Sequence, residues 1–80
     1  MTEAQRYDAS LFNQFLANEI RKAPHDLRGS VGRALVRFSP GATPKQQLAY
    51  TDSLLSTIAD EDGQVVPNWP ERVLEEHWSA

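Results

Sequence analysis

Four short stretches of this chain hold residue types that do chemistry elsewhere, and each has a plainer structural use to weigh it against. His25, Asp26 and Ser30 bring an imidazole, a carboxylate and a hydroxyl close together in sequence, the types that a nucleophilic hydrolase assembles. Triad members meet through a fold, however, so adjacency is no argument, and His25 beside Pro24 reads as an exposed loop or cap residue. Gly29-Ser30-Val31-Gly32-Arg33 resembles a phosphate-cradling glycine loop only superficially. It lacks the four-residue spacer and the Gly-Lys-Ser/Thr ending, and no strand precedes it. Glycines that let two helices pack closely are the expectation there. Asp60, Asp62 and Glu71 fall at positions 1, 3 and 12 of a calcium loop, but Val65 stands where glycine is required and Gln64 is a poor fifth ligand. A polar turn is expected instead. His77 has no Glu three residues before it and no His four before it, so metal spacing is lacking. With two histidines and no cysteine, the chain reads as a protein without catalytic residues, metal or cofactor.

A fifth feature is electrostatic. The net charge of −3 conceals a segregation: residues 1–20 carry −2, residues 21–45 carry +5 and residues 46–80 carry −6. Arg21, Lys22, Arg28, Arg33 and Arg37 form the basic segment, which is able to hold phosphates or an acidic partner. Against nucleic acid stand a pI near 5.2, the absence of aromatics interleaved with the arginines, and proline-bearing linkers unlike the usual short turn of a helix-turn-helix. Pairing of basic and acidic segments within the fold or across a dimer is the plainer reading.

The elements that must position these residues are helical. Tyr7, Leu11 and Phe15 form one apolar stripe at helical spacing, and Phe12, Leu16 and Ile20 form a second. Together they cover roughly 220°, about twice the arc of a one-sided surface helix. Such a helix is either central to the fold or divided between core and partner interface. Thr2-Glu3-Ala4-Gln5 fits a capping box, Asp8 is a second candidate cap, and Pro24 ends the helix by Lys22 or Ala23. Glu19 sits between the stripes and is expected to reach solvent or a neighbouring arginine. Asp26 caps a second helix to Phe38, with Leu27, Val31, Ala34, Leu35 and Phe38 on one side. Thr43, Pro44 and Gln46 make the strongest helix start in the chain. The helix from Pro44 to Asp60 is expected to bury Leu48, Leu55 and Ile58 and to present Lys45, Asp52, Ser53, Ser56 and Thr57 to solvent. Gly63 suits the left-handed residue after its end. Gln64-Val65-Val66 should be extended, and a last short helix from Pro70 to about Trp78 needs Trp69, Val73 and Trp78 to dock.

The 80 residues therefore predict a single all-α domain, residues 1–80, with three main helices and a short C-terminal fourth around Phe15, Leu16, Leu35, Leu55 and Ile58. No apolar run reaches the roughly 20 residues of a membrane helix, and Met-Thr-Glu-Ala-Gln is not a secretory leader, so the cytoplasm is the default compartment. A small core without disulfides gains from association. The leading expectation is a non-enzymatic regulator, inhibitor or accessory subunit that binds a protein or a second copy of itself. Tyr7, Leu11, Phe12, Trp69 and Trp78 are the candidate contact residues. The alternative is a dimeric nucleic-acid-binding regulator with the arginines of residues 21–37 on phosphates.

Overall fold

The computed structural model describes residues 3–78, so Thr2, expected to cap the first helix, lies outside the described residues. Helix α1 runs Glu3–Lys22, α2 Leu27–Phe38, α3 Pro44–Ile58 and α4 Trp69–Val73, and α4 continues as a wide π-helical turn, Leu74–Trp78. The architecture is all-α, three main helices with a short C-terminal one. Asp8 lies inside α1 rather than capping it.

Successive helices run antiparallel. Phe12 and Phe15 of α1 meet Phe38 near the end of α2, while Glu19 meets Arg33 one turn or more earlier in α2. Arg28 and Gly32 of α2 meet Asp52 and Gln47 of α3 in the same reversed order. The C-terminal segment then folds back over α1 and α3, through Asn13 Nδ2 donating to the Pro70 carbonyl, Trp78 beside Phe12, and His77 beside Thr57. Asn13 Oδ1 is buried and, among the described residues, has no hydrogen-bond partner. Phe12, Leu16, Val31, Ala34, Leu35, Leu54, Ile58 and Val73 form the buried core. Of the expected centre, Leu16, Leu35 and Ile58 are buried, and Phe15 and Leu55 pack half-buried against it.

The caps behave as their chemistry dictates. Asp26 Oδ1 accepts from the Gly29 N–H at 3.0 Å. Thr43 and Gln46 form a reciprocal capping box at 3.1 and 2.9 Å.

Helix α3 departs from its expected orientation. Leu48 is 63% exposed, whereas Thr57 is buried. The two lie nine residues apart, on opposite flanks at about 100° per residue. The C-terminal turn covers the Thr57 flank, and the Thr57 hydroxyl donates to the Ser53 carbonyl, which lets its methyl group enter an apolar site without an orphaned proton. Helix α3 also stops at Ile58, two residues short of Asp60, because Ala59 turns extended and bridges Val65. Gly63 does take a left-handed φ of +77°, but inside the Asp60–Gln64 turn rather than at the helix end. That turn is fixed by Asp60 Oδ1, which accepts from the Asp62 and Gln64 N–H groups.

The glycines of α2 do not serve close helix packing. A Cβ on Gly29 would collide with the Asp26 carboxylate, so that glycine makes room for the cap, while Gly32 faces open space.

Candidate functional site

Helix α1 divides its apolar surface. Phe12 and Leu16 are buried with Ala9, while Leu11 and Phe15 are half-buried and Tyr7 is 66% exposed. The second stripe therefore builds the core and the first remains partly open. Phe38 ties the two together, lying edge-on to Phe12 at 5.5 Å and to Phe15 at 5.9 Å. Edge-to-face contacts of this length are favourable for aromatic pairs, and here they fix the end of α2 against α1.

Two depressions flank that junction. One is a cleft of 510 Å³ between α1, the end of α2, α3 and the C-terminal turn, with Phe12, Leu35 and Leu54 in its floor. Its rim carries Asp8, Arg37, Tyr50, His77 and Trp78. The other is a shallower groove of 470 Å³ along α1, lined by Leu11, Phe15, Arg37 and Phe38. Arg37 lines both, so its guanidinium stands between them. A broader depression of 810 Å³, around Ile20, His25, Leu55 and Gln64, is larger than either. It is the weaker candidate, because the Asp60 carboxylate at its edge is already spent on its own turn.

The cleft is held open by a polar fastening. His77 Nε2 lies 2.8 Å from Thr57 Oγ1. Thr57 Oγ1 also lies 3.1 Å from the Ser53 carbonyl, and with its single proton directed there, Nε2 is the donor to Oγ1. The bond anchors the π-helical turn and with it Trp78, whose ring sits 6.4 Å from that of Phe12.

The basic residues fare differently from one another. Arg33 Nε donates to Glu19 Oε2 at 2.7 Å, its Nη1 lies 3.9 Å from Asp26, and Lys22 lies 3.9 Å from Glu19. Glu19 thus pairs with a neighbouring arginine. Arg28 pairs with Asp52 at 2.8 Å, joining the basic segment to the acidic one. Arg21 donates to the Asn18 side chain. Among the described residues, the Arg37 side chain makes neither an ion pair nor a hydrogen bond.

The remaining candidates spread out. Trp69 is half-buried against the core and does not line the cleft. Ser30 is fully buried with its Oγ 3.4 Å from Arg33 Nη2, and Asp26 caps α2, so His25, Asp26 and Ser30 do not assemble into a relay. Among the described residues, no group of three or more His, Cys, Asp or Glu side chains is placed to hold a metal ion, and no helix is long and apolar enough to cross a membrane.

In sequence Asp8 reads as a cap, Phe38 as core and His77 as a histidine without metal spacing, and Tyr50 carries no signal. None of them points to the cleft, which exists only once three helices and the C-terminal turn surround it. Comparison with protein-family models, with curated proteins and with solved structures finds no match to this chain.

Proposed function

We propose that this chain is a non-enzymatic protein-binding module, a regulator, inhibitor or accessory subunit that acts by stoichiometric contact. The contact face combines the outer stripe of α1, Tyr7 and Leu11, with the Trp78 cleft. Phe12 contributes from beneath as its floor. The observation that carries this reading is the division of α1: one stripe completes the core, and the other leaves Tyr7 66% exposed, while its neighbour Asp8 lines a cleft rimmed by aromatics and by an Arg37 that is unpaired among the described residues. Rigid aromatic anchors beside a concave apolar site are where binding energy concentrates, and an unpaired charge at the rim steers the approach of a partner.

A photo-crosslinking residue placed at position 7 tests it. Irradiation in cells should yield one adduct of discrete mass, lost when Leu11 is changed to Asp. The same group at position 64, in the turn after α3, should yield none. Equal labelling from both positions would sink the reading.

The nucleic-acid alternative finds less support. Arg21, Lys22, Arg28 and Arg33 each already meet a polar partner, which phosphates would have to displace. Binding of duplex DNA that falls steeply with salt, and is lost on charge reversal of Arg33 and Arg37, would favour it over the protein-binding reading.

A further inference from the structure

We propose that the partner of this face is a second copy of the chain, paired about a two-fold axis so that Asp8 of each copy meets Arg37 of the other. The inference rests on the protein-binding reading and names its occupant.

Asp8 and Arg37 line the same cleft, and among the described residues neither side chain makes an ion pair or a hydrogen bond. They are thus one free acid and one free base on a single apolar face. A two-fold interface sets residue i against j and j against i. A face with charge of one sign would repel its own copy, whereas a face with one of each sign is complementary to itself. Each charge has an apolar neighbour with room for contact: Tyr7, next to Asp8 in α1 and 66% exposed, and Phe38, next to Arg37 in α2, half-buried and lining the same cleft. Two copies brought together in this way bury the Tyr7–Leu11 stripe and place two charge pairs at the rim.

The size is adequate. A standard interface takes about 800 Å² from each partner, about 15% of the 5437 Å² that this chain exposes. Helix α1 alone offers a face about 30 Å long at 1.5 Å per residue over its 20 residues. A chain near the lower size limit for an independent core, with no disulfide, also gains stability from such closure.

Light scattering across a micromolar to millimolar series is the test. The parent should reach twice its 9.0 kDa mass. Asp8→Arg and Arg37→Asp, each alone, set like charges against each other and should weaken association about tenfold or more. Mixed one to one, the two variants regain complementary faces and should form a heterodimer. The double variant in one chain should pair with itself. Neither rescue can come from a chain that fails to fold, and the parent measurement stands without either variant. A parent that stays monomeric, single variants that associate as well as the parent, or a mixture that shows no rescue overturns the inference. If the parent is monomeric but position 7 still captures another protein of discrete mass, the self-pairing fails and the protein-binding reading survives. If it captures nothing, both fail.

Discussion

Helices α1 and α2 lie side by side, and the two ends of their seam differ in kind. At one end Arg33, Glu19, Asp26 and Lys22 satisfy one another, and the Glu19 side chain is only 13% exposed. At the other, one turn further along α2, Arg37 and Asp8 line one open cleft and, among the described residues, make no ion pair with each other. The residues are of the same charge types, but Arg37 lies one turn from Arg33 along α2 while Asp8 lies about three turns from Glu19 along α1. The difference comes from register: Glu19 falls beside Arg33 where the antiparallel helices meet, whereas Asp8 shares the cleft with Arg37 without pairing to it among the described residues. Charge available for a partner is therefore what remains after the fold has paired the rest. Counting arginines along the chain overstates it, since Arg28, Arg33 and Arg72 are already held in ion pairs.

The sharpest test of that contrast compares one residue from each end. Leu16, fully buried at the closed end, should lose about 2–5 kcal/mol on change to Ala, read by urea denaturation. Tyr7→Ser at the open end should alter monomer stability by about 0.5 kcal/mol or less while abolishing association. Comparable losses from both would erase the distinction between the two stripes.

Thr57→Val probes the wall of the cleft. It keeps the shape of the side chain and removes the hydroxyl that accepts from His77. The expected cost is about 1 kcal/mol, together with a red shift of tryptophan emission as Trp78 loosens. An unchanged spectrum would mean that packing alone seats the turn.

The smallest effect separates the two arginines. Arg33→Ala should cost about 0.2–1 kcal/mol, since its side chain is 46% exposed and exposed pairs contribute little. Arg37→Ala should leave the monomer's melting temperature unchanged and weaken only its association. The opposite order would invert the assignment of paired and free charge.

Much of the fold was legible because its signals are local. Pro24, Asp26, Thr43 and Pro44 mark helix ends by backbone chemistry that needs no neighbour, and all four act as expected. The two stripes of α1 were legible for the same reason. Which side of α3 is buried was not, because Leu48 and Thr57 flank the core sector almost symmetrically, and only the returning C-terminal turn decides between them. The site was half legible. Of the proposed face, Tyr7, Leu11, Trp78 and Arg37 stand out by type in the sequence, but that Arg37 rather than Arg28 or Arg33 is left without an ion pair depends on neighbours that one dimension does not show.

The return of the C-terminal segment has a kinetic consequence. The Glu19–Arg33 contact closes a loop of 14 residues, while Asn13–Pro70 closes one of 57. On loop entropy alone the longer closure costs about 1.2 kcal/mol more. The three antiparallel helices, whose neighbours in sequence are neighbours in space, can therefore condense first, with the Trp78 turn settling after the rate-limiting barrier. Substitutions at Trp78 should then steepen escape from the native state and leave the folding limb of a chevron in place. The wall of the cleft would be the part of this molecule that opens without the rest coming apart.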